Sequence, residues 1–404
     1  MKRLINCILI LTLLSLWVGC GPERRETDLH EAGWDKILEK ARGSTVTLMM
    51  WQGDPNINRY MNGYVKPELK KRYGINLEIA SGQGNKIVSI LMTELQAGKQ
   101  TSEIDMMWIN GETFYQLRQI EALYGPFTGR LPNAKYVDFE NPFIKYDFQQ
   151  PIDGYECPWG NVQWCMIYNR EKTKNPPRNM DEIEAYVRAH PGSLTIPTEF
   201  TGMTFLKSLL IAIAGEGTLD GPYDEEKYEQ YSRRLWRYIN GIKPYLWKKG
   251  ETFPSTLSSM HQMFASGELH FTMSNNDAEV DNKVLEGFFP ESARAYALDS
   301  GTIQNSHYIG IVKHSGSKAA AMVVCNFLIS PEAQYRKMNP TVWGDGTVLS
   351  QEKLPSRWEE KFRSIADRKY TPPREVLQQY ALQELAPEYM IRLYEDFRSH
   401  VVQR

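Results

Sequence analysis

Residues Ile75–Asn110, INLEIASGQGNKIVSILMTELQAGKQTSEIDMMWIN, carry the pattern from which the fold is read. INLEIAS is a strand. NKIVSILMTELQAGK is a helix with Ile87, Ile90, Leu91 and Leu95 on one face and a stop at Gly98, and IDMMWIN is a second strand. Upstream, TVTLMMW (Thr45–Trp51) is a strand by its apolar, β-branched content, and PELKKRYGI (Pro67–Ile75) closes a helix at Gly74. The order β-α-β-α-β predicts a largely parallel sheet with helices on its faces. Ligands of such sheets sit beyond the carboxyl ends of the strands. Those ends nominate Trp51, Gln52 and Asp54, then Ser81 and Gln83, then Trp108, Asn110 and Glu112.

A second lobe follows. CMIYN is a strand leading to a Pro-Pro turn and a helix that begins near Asn179 or Met180. TIPTEFTG reads as a strand with Thr201 as N-cap of an apolar helix closed by Gly215. A polar, Tyr-rich helix covers Glu225–Asn240. HFTMSNND is a strand followed by a capping box of Ser274 and Asp277, opening a helix that ends at Gly287. The strand HYIGIVK precedes a helix at Ala319–Leu328, and Ser330-Pro331-Glu332 caps another. From about Leu354 the chain reads as helical and charged.

Composition narrows the function classes. The 404 residues are 42% hydrophobic and 24% charged, enough for two cores. A net charge of −2 gives no polybasic field, so no nucleic-acid partner is expected. Ten Trp and 22 Tyr supply flat faces that suit sugars or cations, although most such rings serve cores. Of the five cysteines, Cys157, Cys165 and Cys325 remain once Cys7 and Cys20 are set aside, and they read as free and buried, without metal or redox function.

No enzyme motif stands. Gly-x-Ser-x-Gly is absent, and His30-Glu31 runs into Ala-Gly-Trp rather than toward a second histidine. GQGNKI puts Ile87 where a dinucleotide fingerprint needs its third glycine, and no Walker A lysine loop occurs. DPNINRYMNG puts Arg59 where a calcium loop must turn on glycine. The expectation is a binding protein with no cofactor, no metal and no catalytic residues.

The N-terminus reads as a leader. Lys2 and Arg3 precede an apolar run from Leu4 to Val18, shorter than the ~20 residues of a spanning helix. No Ala-x-Ala cleavage site is present. The run ends Trp17-Val18-Gly19-Cys20, which resembles a bacterial lipobox with Trp in the place usually held by Leu. The resemblance implies that residues 1–19 are a signal peptide cut off before Cys20, that Cys20 is diacylated, and that residues 20–43 are a tether with a docking helix.

Residues 158–210 and 272–334 are similar to the solute-binding lipoproteins of bacterial ABC importers, in the YnjB-like branch. The similarity runs from about Thr45 to Leu349. Its marks are Tyr168-Asn169 before the Pro-Pro turn, Pro191-Gly192, Asp299 with GTIQN, NFLISPEAQ and WGDGTVL. It implies the α/β type II periplasmic-binding-protein fold, with two α/β lobes, two crossings and a ligand cleft between them. Lobe one would span 44–164 with a return at 306–340, lobe two 165–305, and a C-terminal helical region 341–404. It further implies an extracytoplasmic monomer that passes a small-molecule solute to an ABC permease in the membrane, with no hydrolysis on this chain.

The residues only nominate the wall. Trp51, Trp108, Trp159 and Trp164 offer faces worth up to ~2 kcal/mol per desolvated cation contact. Asp54, Glu112 and Asp277 add negative charge, and together they suggest a cationic or heteroaromatic solute such as a thiamine-like compound or a polyamine. The duller accounts are a turn for Asp54, a core face for Trp108 and capping for Asp277 beside Asn276. Thr201-Gly202 at a helix N-terminus suits an anion or simple capping. Asp299, Asn305 and His307 lie in a loop that reaches the cleft or serves as hinge. An oligosaccharide-binding lipoprotein, with the tryptophans as platform, and a surface hydrolase are the alternative readings.

Overall fold

The computed structural model describes residues 29–403. The leader and Cys20 lie outside the described residues. β1 (Thr45–Met50) pairs in parallel with β2 (Asn76–Ser81), and β3 (Met106–Ile109) joins β1 in parallel, as the alternation predicts. Between β2 and β3 the helix Asn85–Gln96 buries Ile87, Val88 and Leu91, the stripe that its 3.6-residue period places on one side.

β11 (Thr302–Val312) runs antiparallel to β3 and binds three further strands: β4 (Leu123–Tyr124), β7 (Glu156–Gln163) and β12 (Ala381–Leu382). It starts at Thr302, five residues before the expected start at His307. β7 supplies the partner, in register from Gln304↔Gln163 to Gly310↔Glu156, and such pairing is invisible to local sequence. Phe148 and Gln149, at positive φ, turn the small hairpin of β5 (Tyr146–Asp147) and β6 (Gln150–Pro151).

Lobe two holds an antiparallel sheet in which β8 (Cys165–Asn169) lies between β9 (Phe271–Ser274) and β10 (Ala293–Tyr296). Against it sits the helix Phe200–Ala214, buried without a break from Thr201 to Ile211; it is apolar on most sides, and its one charged residue, Lys207, pairs with Glu384. Leu385, Tyr389, Met390, Leu393 and Phe397 of the C-terminal segment complete this core. That segment is therefore not uniformly helical: β12 interrupts it to join the first sheet. Near the passage between lobes, the Trp164 N–H donates to the Ile303 carbonyl at 2.8 Å, so the two crossing stretches are tied together.

Several local readings hold. Asn179 caps Met180–Ala189, Ser330 caps Pro331–Met338, and Gly74 ends its helix at φ 71. The helix Trp34–Ala41 buries Ile37 and Ala41 and packs on Lys318–Leu328. Cys157, Cys165 and Cys325 are buried free thiols.

Three others need correction. Residues 194–197 form no ladder and are not a strand. Thr201 is not the N-cap of its helix; Glu199 holds that position. Ser274 and Asp277 form no capping box, because the helix begins at Glu279. Ser274 Oγ instead accepts from the Asn276 N–H, and Asp277 is drawn toward Arg368 and the Gln163 N–H.

Candidate functional site

The carboxyl ends of β1, β2 and β3 face lobe two across a cleft of about 1030 Å³, counted out to the solvent at its mouth. That is the scale of pockets that enclose a small molecule. Trp51, Asp54, Gln83, Trp108 and Asn110 line it from lobe one. Lobe two contributes Glu199, Phe200, Thr201, Leu257, Asn275 and Asn276. The crossing strand β11 adds Asn305 and His307, and the later segment adds Trp343 and Asp345.

Asp54 is positioned by its own helix. As N-cap of Pro55–Tyr60 its Oδ1 accepts the Asn56 N–H at 2.7 Å and the Ile57 N–H at 3.2 Å. Its Oδ2 is left for Lys283 Nζ, 2.6 Å away on the Glu279–Leu285 helix of lobe two. Glu279 lies 3.6 Å from the same ammonium and 3.7 Å from His261 Nδ1. Burial alone would depress the Lys283 pKa, but Glu279 and Asp54 outweigh it and hold the ammonium above its ordinary value. Ser258 Oγ donates to the Gly53 carbonyl at 3.1 Å, and Arg59 meets Glu286 at 3.1 Å on the exposed rim. Lobe two thus touches the β1 turn at three points.

Aromatic rings form the other part of the wall. Trp108 meets His307 at 5.0 Å between centroids, and His307 stacks on Trp343 at 6.2 Å with 9° between planes. His307 Nε2 is 3.0 Å from Asp345 Oδ1, and Lys337 closes on the other oxygen. Burial raises the Asp345 pKa, yet Lys337 and His307 more than reverse it and keep the carboxyl below its ordinary value. A β-bulge between His307 and Tyr308 interrupts the register with β7 at the residue that enters the cleft. Trp51 lies over its own turn: a Cβ on Gly53 would stand 2.3 Å from the indole, so only glycine leaves room for it there.

Eight nominated residues fall elsewhere. Trp164 is buried and stacks on Phe205 of lobe two at 5.6 Å between centroids, away from the cleft. Trp159 is fully buried at 5.1 Å from Trp108 and supports that ring from behind. Gln52 and Ser81 are absent from the lining; their carbonyls accept Asn58 Nδ2 and Lys86 Nζ. Glu112 is buried in its helix's first turn, where desolvation pushes its carboxyl up to about 7. Gly202 faces Pro197, whose carbonyl oxygen would stand 1.8 Å from any Cβ. Asp277 is buried against Arg368 and Arg374 of the C-terminal segment and accepts the Gln163 N–H, away from the cleft lining. Asp299 pairs with Arg178 at 2.7 Å on an exposed face. The anion reading of Thr201-Gly202 meets the Glu199 carboxylate at the same helix end, which repels an anion. Thr201 itself lines the cleft, and its Oγ1 accepts from Asn275 Nδ2 at 3.0 Å.

Sequence reasoning missed Glu199, Phe200, Leu257 and Asn275, and took Trp343 and Asp345 only as marks in WGDGTVL. Among the described residues no group of three or more His, Cys, Asp or Glu is placed to hold a metal.

The family model described as bacterial extracellular solute-binding protein matches residues 64–362. The chain belongs to that family. This solute-binding protein is similar to protein YnjB of Escherichia coli K12, with 35% identity over 364 residues, 89% of this chain and 91% of that one. Its fold is shared with a putative spermidine/putrescine ABC transporter from Listeria monocytogenes (TM-score 0.60, 15% identity, 88% and 98% of the two chains). It is shared too with the periplasmic binding protein AfuA of Actinobacillus pleuropneumoniae, bound to fructose-6-phosphate (0.60, 10%, 89% and 98%). The type II two-lobe expectation and the family resemblance are borne out. The family is extracellular, and no helix among the described residues is long and apolar enough to cross a membrane.

Proposed function

We propose that this solute-binding protein is the lipid-tethered receptor of an ABC importer. It captures one small solute between its lobes and hands it to a membrane permease. The carrying observation is the cleft itself: strand ends of lobe one, helix starts of lobe two and the crossing strand β11 converge on one space, and lobe contacts such as Asp54–Lys283 seal its edge. The receptor reading agrees with neighbours of this fold, including the putative spermidine/putrescine transporter protein. Lobe one spans 44–164 and 306–340, and lobe two spans 165–305. Cys20 carries the lipid and residues 20–43 the tether. The protein acts as a monomer that binds and releases its solute without chemical change, the solute shifting the population toward the closed form.

The test is a thermal-shift screen of the full-length protein purified in detergent, against thiamine, putrescine, spermidine, ferric iron, sugars and sugar phosphates. Solute at a hundred times its Kd should add about 2.7 kcal/mol. Turnover of any of these compounds would contradict the receptor reading. Mass spectrometry of the N-terminus tests the tether: a mature chain starting elsewhere than at an acylated Cys20 removes it.

A further inference from the structure

We infer that Glu199 binds a positively charged group of the solute, so that the transported compound is a cation; this rests on the receptor reading of the cleft. Of the four carboxylates on the cleft wall, three are already matched. Asp54 and Glu279 share Lys283, and Asp345 is held between Lys337 and His307. Glu199 has no cationic side chain beside it. Its Oε1 accepts the Leu257 N–H at 2.5 Å, which ties it to the start of the Leu257–Ala265 helix. Among the described residues the Leu257 N–H is the only protein partner of its carboxylate, and the residue lines the cleft.

A half-buried carboxylate without a counter-ion carries a desolvation cost, and such a cost persists where the missing partner comes from outside. Burial raises the Glu199 pKa, the Leu257 N–H opposes that, and Glu279 adds to it. An arriving cation offsets both the burial and the repulsion from Glu279. The surroundings suit a flat or methylated cation: Phe200 is the next residue, and Trp51 and Trp108 line the same space with ring faces that attract positive charge. The protein's own cations are committed, with Lys283 near both Asp54 and Glu279 and Lys337 sealed on Asp345, so neither is free to receive an anionic solute.

Glu199→Gln isolates the charge, because the amide oxygen still accepts from Leu257. Affinities of full-length wild-type and variant protein are measured calorimetrically for thiamine and spermidine as cations, glucose as a neutral solute and fructose 6-phosphate as an anion. The expected result is that a cation binds wild type and loses about ten-fold or more in the variant. The melting temperature of the ligand-free variant should be equal or higher, since an unpaired buried charge is removed, whereas a purely structural Glu199 would show a lower one. A cation bound equally by both proteins overturns the assignment. Binding of glucose or the sugar phosphate alone overturns it while leaving the receptor reading intact. Binding of nothing in the panel counts against both.

Discussion

Asp54 and Lys283 stand 229 positions apart in the chain and 2.6 Å apart in space, and the carboxylate that starts a lobe-one helix is the one that grips lobe two. Asp54→Asn keeps an acceptor for the Asn56 and Ile57 N–H groups but removes the charge. The buried Lys283 then retains only Glu279, and a loss of about 2–3 kcal/mol follows. Lys283→Met restores part of this in the Asp54→Asn background, so a double-mutant cycle by denaturant unfolding should be clearly non-additive. Additive effects would remove the pair as a link. Solute affinity should fall with the pair, because closure loses its lock.

Gly53→Ala displaces the Trp51 indole, whose atoms lie 2.3 Å from the added methyl position. Trp51 is only half-buried, so stability should change by less than about 1 kcal/mol while solute affinity drops several-fold. Tryptophan fluorescence should report the moved ring. Unchanged affinity would show that Trp51 is not a contact.

Two glycines should respond oppositely to alanine. Gly202→Ala drives a methyl onto the Pro197 carbonyl oxygen at 1.8 Å and should cost about 3 kcal/mol, with affinity reduced because Thr201 and Glu199 move too. Gly63 is exposed with no atom within 4 Å of its Cβ position, and Gly63→Ala should stabilise by about 0.5–1 kcal/mol. Urea melts of both variants check the contrast.

Glu112 predicts a pH trend. Desolvation lifts its carboxyl to about 7, against an opposing Lys207, with Glu384 adding to the lift. Asp147, Glu156 and Glu384 are raised as well, each chiefly by burial. Folded protein therefore holds protons that the unfolded chain releases near pH 4, and stability falls as pH rises from about 4 toward 7. Asp277 and Asp345, held low by their cations, act oppositely and withdraw their support below about pH 4. Melting temperature should peak in mild acid, and Glu112→Gln should flatten the decline from pH 5 to 7. An unchanged slope in the variant would assign the trend to the other carboxylates.

The repeating parts of the fold were legible. The strand ends at Trp51, Gln83, Trp108 and Asn110 follow from period and alternation, and they do line the cleft. Charges were not legible in the same way. Asp277 and Asp54 are both acids beside a helix start, yet one meets Arg368 and Arg374 of the C-terminal segment and the other meets Lys283 across the cleft. No local pattern separates them, because the partners lie about 90 and 230 positions away. Glu199 escaped notice for the converse reason, since what marks it is a partner it does not have.

The pairing of β7 with β11 bears on how the cleft moves. The strands are hydrogen-bonded almost up to the passage into lobe two, so the two crossings form a strip rather than a pair of separate strings. A strip flexes about one line and resists twisting, which fixes the path of closure. Asn305 and His307 lie on that strip, whereas Lys283 stands on a lobe-two helix outside it. Solute groups that touch β11 therefore meet much the same surface at every angle and serve as a fitting gauge. Those that reach across to the helix starts of lobe two bridge the gap and draw its two walls together.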